Sequence, residues 1–483
     1  MQNIITTMAK NSLALAAGGI IAQVAFICID VSIARSLGKE SFGLFSTAFV
    51  ISSIALIVVD LGMGMKLVKD GARDAIVISS LFSTTIILKF IFYVISYPII
   101  LIALWTLDYG NDFLEFFSVF YLFTLVMVLQ ESFGAVYSAK QQMGINALFQ
   151  GTTPLVILLL LTLLFYFLED SSLFDVAIAY VAGSSIVTIC WFILISKSIR
   201  PKITLENPLE TIKDSYLFGF IGLLSILFLK VDTLMLSYME DMAAVGIYVA
   251  GYKLLDLAHK IPILVSRVIA PVMFNYKLTD KLKYKSITDS TLRGATICGI
   301  IASMIFYISA EPIIILIFGE QYETSVIILK ILSGSFAIKF MSTILGVTLM
   351  TSDLQSYRVK ALSIATISNV LLNLLLISVY GVIGAAVATI ISELILLLLY
   401  AISVIRILGI VKVIVKTLVP ISVAILIVSS ITVVTTNLIF SSLISVSLFI
   451  VLVHLFKYIT IDEIRFLVYL GKDNKEKSSK TSQ

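Results

Sequence analysis

Fourteen apolar runs, each long enough to cross a hydrocarbon core, constrain this chain more than any motif in it. They fall near residues 12–34, 42–63, 76–104, 114–137, 149–168, 174–195, 215–238, 243–274, 295–317, 324–350, 359–379, 382–405, 411–433 and 437–457. A helix of about 20 apolar residues spans a core about 30 Å thick, and within that core the segment must satisfy its own backbone hydrogen bonds. An all-α polytopic membrane bundle of about 14 transmembrane helices is therefore predicted. Composition agrees: 59% of residues are hydrophobic and 13% charged, against globular norms of about 45–50% and about 25%. The net charge of +4 gives no sign of a nucleic-acid partner, and none is expected. The stretch from Met1 to Lys10 is amphipathic and lacks a small-residue cleavage site, so the first run reads as a retained helix. Cys28, Cys190 and Cys298 all lie in apolar runs without metal-ligand spacing, which predicts buried small hydrophobes and no metal site.

Orientation follows from lysine and arginine, which resist translocation. The connections after runs 2, 4, 6, 8, 10 and 12 carry 18 basic residues, from Lys66, Lys69 and Arg73 to Arg406, Lys412 and Lys416. The other connections carry Arg35 and Lys39 and are otherwise acidic, as at Asp108, Asp112, Glu240 and Asp241. Both termini are predicted to be cytoplasmic, with a polar tail beside the anionic leaflet.

An internal repeat sets the domain organisation. Asp30 precedes Phe42-Gly-Leu-Phe45 as Asp232 precedes Val245-Gly-Ile-Tyr248, an offset of 202 to 203 residues between like-oriented copies. The expectation is two pseudo-symmetric six-helix lobes, residues 1–200 and 201–408, followed by two extra helices over 409–460 and a cytoplasmic polar tail at 461–483.

A charge at bilayer depth costs about 2.5–3.5 kcal/mol, so intramembrane ionisable residues are candidates for function. Run 8 has the densest set. At about 100° per residue, Lys253, Asp256, Lys260 and Arg267 fall within about 60° of one another, on one helix face. Run 7 adds Lys230 and Asp232, and run 10 adds Lys339. One reading makes these a structural ion-pair network, with Asp256 reaching Lys253 and Lys260 at i,i+3 and i,i+4 spacing. The other makes the surplus of cations a site for an anionic substrate. It is favoured by Val50, Ser53, Ile57 and Gly64, which occupy the matching repeat positions without charge. Asp30, Asp60, Glu131 and Glu393 are candidates for coupling to an H+ or Na+ gradient, and each could equally cap a helix or pair. Lys89 is expected to snorkel, and His259 to hydrogen-bond locally. Pro262, Pro271 and Pro312 predict kinks. Tyr216, Phe220, Tyr248 and Tyr252 are candidates for stacking on sugar rings. No phosphate-binding loop occurs and only two histidines are present, which argues against ATP binding and against hydrolytic chemistry.

Four stretches carry a resemblance to a known family: ARSLGKESFGLFS (Ala34 to Ser46), VDTLML followed by AVGIYVAGYKL in runs 7 and 8, FGEQY (Phe318 to Tyr322) and YGVIGAAVATIISE (Tyr380 to Glu393). Their order and spacing resemble the Wzx-type O-antigen and polysaccharide flippases of the multidrug, oligosaccharidyl-lipid and polysaccharide (MOP) exporter superfamily. The resemblance implies a bacterial inner-membrane transporter of undecaprenyl-diphosphate-linked oligosaccharides. It also implies two lobes around a cationic cavity, with Asp232 and the basic positions of runs 7 and 8 lining it. Membrane lipids, a polysaccharide polymerase and a chain-length regulator are the implied partners, with no cofactor beyond a possible ion gradient. Runs 1 and 2 lack the intramembrane arginines of the lipid II flippase branch. A drug or organic-cation antiporter of the same superfamily, and a membrane polysaccharide polymerase or ligase, are the alternatives.

Overall fold

The structure, a computed structural model, describes residues 2–168, 170–198, 205–409, 416–434, 438–455 and 458. The 410–415 connection and the tail at 461–483 lie outside the described residues. Among the described residues, ten helical stretches are long and apolar enough to cross a membrane. Two of the ten are each divided by a glycine, Gly38 (φ 81°) and Gly381 (φ 54°), which raises the segments of spanning length to twelve. The shorter apolar helices Leu418–Ser429 and Ile444–Leu455 lie within the last two apolar runs. Both breaks occupy left-handed backbone that a side chain would strain, and each falls where the apolar runs predicted a connection.

The chain divides into two compact units, Asn3–Gly246 and a second beginning at Ile247. The first contains α1 (Gln2–Asp60, broken at Gly38), α2 (Met63–Gly71), α3 (Ile78–Thr106), α4 (Asn111–Ala139), α5 (Met143–Phe167), α6 (Leu173–Ser198) and α7 (Pro208–Met239). Helix α7, assigned from sequence to the second lobe, here belongs to the first unit. Its core is aromatic. Phe120 of α4 lies 5.5 Å from Tyr180 of α6 and 5.6 Å from Phe45 of α1, in the tilted and edge-on arrangements that ring quadrupoles favour. Phe116, Phe117 and Tyr121 extend this column along α4 with almost no exposure.

The second unit takes in most of α8 (Met242–Ala258), then α9 (Lys260–Thr279), α10 (Lys281–Ile308), α11 (Ala310–Phe318), α12 (Ser325–Ser333), α13 (Ser335–Thr351), α14 (Gln355–Leu408, broken at Gly381), α15 (Leu418–Val434) and α16 (Leu438–Leu455). Two of the prolines act as expected. Pro262 has no N–H for the carbonyl of Ala258, and the helix is interrupted at His259; Pro312 likewise removes the bond to Ile308, and the interruption falls at Ser309. His259 keeps near-helical angles (φ −65°, ψ −14°), so α8 and α9 are one bent rod. Its ring meets Ser335 Oγ at 3.2 Å and the edge of Phe336, the local role expected of it.

The two glycines of the recurring motif meet. A Cβ on Gly43 would come 1.7 Å from the carbonyl oxygen of Met242 and 3.1 Å from the amide of Gly246. A Cβ on Gly246 would come 2.0 Å from the carbonyl oxygen of Lys39 and 3.3 Å from the amide of Gly43. Lys39 and Gly43 sit 203 residues before Met242 and Gly246, so each copy presents to the other what it receives. Only glycine permits that approach.

The cysteines differ from expectation. Cys28, Cys190 and Cys298 are exposed on their helices, because an apolar helix in a bilayer turns part of its apolar surface to lipid.

Candidate functional site

The charged residues singled out from sequence separate into three groups. The first follows the bent α8–α9 rod. Lys253 and Asp256 are half-buried on α8 and Lys260 is exposed at the start of α9. The side chain of Arg267 lies outside the described residues. The interruption at His259 falls between Lys253 and Lys260, so the single straight face drawn from the sequence is divided between two helices. Lys253 and Asp256 both take part in polar or electrostatic contacts. On α7, Lys230 is half-buried, and Asp232 is buried and accepts the backbone N–H of Thr233 at 2.7 Å.

The second group lies within the second unit. Lys339 of α13, expected to add to the cation surplus, donates to Glu393 Oε1 of α14 at 2.5 Å, and only 4% of the Glu393 side chain is exposed. Two residues placed in different roles from sequence are thus partners. An ion pair this enclosed offsets its own desolvation only through close geometry, and removing either partner strands the other charge.

The third group was not legible as a group. Lys89 of α3 does not snorkel. Its side chain has no exposed surface, and its Nζ lies 2.5 Å from Asp60 Oδ1, 3.7 Å from Glu131 Oε2 and 3.0 Å from Ser132 Oγ. Two of the four gradient-coupling candidates, Asp60 and Glu131, are therefore joined through one ammonium. Asp60 ends α1 and also accepts the N–H groups of Gly62 (3.1 Å) and Gly64 (2.9 Å), holding the entry to α2. Leu61 (φ 46°) and Gly62 (φ 81°) make the connection a tight left-handed hinge. Beyond the hinge, Lys66 of α2 bonds Asp70 at 3.0 Å and Asp214 of α7 at 2.7 Å. Asp30, the remaining candidate, is buried near Tyr180.

Of the aromatic candidates, Tyr248 and Tyr252 are buried, their rings 5.9 Å apart. Tyr216 and Phe220 are exposed by 55% and 49%, the two with ring surface open.

A family model described as polysaccharide biosynthesis protein matches residues 8–277, more than half of the chain. The chain belongs to that family. No curated relative matches it by sequence. Among solved structures, the lipid II flippase MurJ in an inward closed conformation is similar with a TM-score of 0.70 at 15% identity, covering 93% of this chain and 98% of that one. An inward-facing multidrug resistance MATE transporter of the MOP superfamily gives 0.64 at 14% identity, covering 83% and 99%. A MOP superfamily transporter from Pyrococcus furiosus, described as having a binding pocket of reverse polarity, gives 0.58 at 14% identity, covering 82% and 95%. At these identities the likeness is one of fold. This member of the polysaccharide biosynthesis protein family is thus a multi-pass membrane protein with the architecture of MOP transporters.

Proposed function

We propose that this protein moves undecaprenyl-diphosphate-linked oligosaccharide repeat units, of an O-antigen, capsule or exopolysaccharide, from the cytoplasmic to the periplasmic face of the bacterial inner membrane by alternating access. The observation that carries the reading is the series of basic residues along α8 and α9 in a chain of a polysaccharide biosynthesis family. A diphosphate headgroup crossing a low-dielectric layer needs charge-assisted donors along its way, while its prenyl tail can stay in lipid. In this reading Arg267 and Lys260 draw the headgroup inward, Lys253 holds it at mid-depth, and Asp256 keeps the amines of α8 and α9 positioned when the site is empty. Lys339 is tied to Glu393 and contributes through that pair. The termini are cytoplasmic, and an H+ or Na+ gradient supplies the energy. A polysaccharide polymerase and a chain-length regulator receive the product.

The test is a deletion strain carrying Lys253→Ala, Lys260→Ala or Arg267→Ala at normal expression. The expected outcome is loss of surface polysaccharide, with unpolymerised lipid-linked units accumulating on the cytoplasmic face. Full polysaccharide production by all three variants removes the basic series from the mechanism. Sugar-chain lengthening by the purified protein points instead to a polymerase.

A further inference from the structure

The first unit encloses one cation between two carboxylates, and it holds them unequally. Asp60 is saturated: the Lys89 ammonium reaches it at 2.5 Å, and two backbone N–H groups donate to its oxygens. Glu131 has the same ammonium at 3.7 Å. Ser132 Oγ donates to the carbonyl of Val128 and accepts from Lys89, so it has no proton to offer Glu131. One ammonium against two carboxylates leaves a net negative charge inside a helix bundle, where the less well held carboxylate is the costly one. The side chain of Glu131 is 45% exposed, whereas that of Lys89 is fully enclosed.

The charges that act on Glu131 are those of Lys89 and Asp60. Helices α5 and α6 face α4 with hydroxyls, Thr153 and Thr188, both engaged by Gln130. On α2, Lys66 is committed to Asp70 and Asp214, and Lys69 lies over the ring of Phe218.

We propose that Glu131 is a proton-binding site of the first unit, and that its occupancy controls the hinge between α1 and α2. Hydronium gives its proton to a Glu131 carboxylate oxygen, one O–H bond forms, water leaves, and Lys89 keeps its own proton throughout. With Glu131 neutral, the ammonium belongs to Asp60 alone and the hinge is held. With Glu131 ionised, the ammonium is shared and the grip on Asp60 slackens. The hinge is placed to pass this on, since a Cβ on Gly62 would come 2.4 Å from the carbonyl oxygen of Ser215 on α7. The purpose of the site rests on the transport reading above, whereas its chemistry does not.

The test is infrared difference spectroscopy on the full chain in lipid as the pH is lowered from about 8 to about 5. A carboxylic-acid C=O band is expected on acidification, lost in Glu131→Gln and appearing at a changed pH in Lys89→Met. If no part of the band depends on Glu131, in protein that melts like the parent, the proposal is overturned and the transport reading stands. If the band is present but the unaltered chain fails to restore polysaccharide in the deletion strain, the transport reading falls and the site stands. Should Glu131→Gln not fold, Glu131→Asp keeps the acid one methylene short, and an unchanged band there also overturns the proposal.

Discussion

At the scale of single residues, the neighbours of Lys89, Asp60, Lys339 and Glu393 decide their roles. Lys89 has no exposed side-chain surface and depends on Asp60 for its charge. Breaking such a pair from one side costs about 3–5 kcal/mol, whereas removing both partners costs much less. Lys89→Met is therefore expected to melt well below the parent in detergent, and Lys89→Met with Asp60→Asn to recover part of the loss. Equal melting temperatures for the single and double variants would show that the two are not energetically coupled. Lys66, outside the spanning segments, behaves differently. Burial lowers the proton affinity of its ammonium, but hydrogen bonds to Asp214 and Asp70 outweigh that and leave it above the ordinary lysine range. A group whose folded value is raised contributes fully below the unfolded value and loses that contribution as pH climbs through the folded one. The stability lost in Lys66→Met should thus be the same at pH about 7 and about 9. Because Asp214 is 51% exposed, that loss should not exceed about 1 kcal/mol. A loss that shrinks over this interval would contradict the raised value.

Elements are joined here by close backbone approaches and by interrupted helices. The reciprocal contact of Gly43 and Gly246 leaves no room for a methyl group on either. Gly43→Ala is expected to reduce the yield of well-folded protein several-fold in size-exclusion profiles, while Gly19→Ala, with nothing within 4 Å of its Cβ, should be silent. Equal yields from the two would mean the crossing is looser than drawn. The interruptions at His259 and Ser309 follow from prolines placed three residues on, and the bends they produce divide a rod without ending it. A bent rod is the reason that a face computed from a straight helix describes α8 and α9 only piecewise.

For the molecule as a whole, the charge asymmetry between alternate connections predicts a topology that labelling can read. With Cys28, Cys190 and Cys298 replaced by alanine, Asp108→Cys should react with an impermeant maleimide in intact cells, and Lys140→Cys only after the membrane is opened. The reverse pattern would invert the orientation and the direction of transport. The sequence by itself determined the helical class, roughly how many apolar segments the chain holds, and the spacing of its recurring glycine motif. Each of these depends on periodicity or length along one segment, and lipid makes those signals strong by forbidding any other way to satisfy the backbone. It also yielded the individual charges, since each stands out against an apolar run. Only the tertiary structure decided which charges meet. Lys89 lies 29 residues from Asp60 and 42 from Glu131 in sequence, Lys339 lies 54 from Glu393, and no spacing rule connects groups on separate helices. A side chain at bilayer depth can snorkel, pair or face water at similar cost, and packing chooses among them. The same holds for the cysteines, whose apolar setting was plain but whose face of the helix was set by neighbours contributed from elsewhere in the chain.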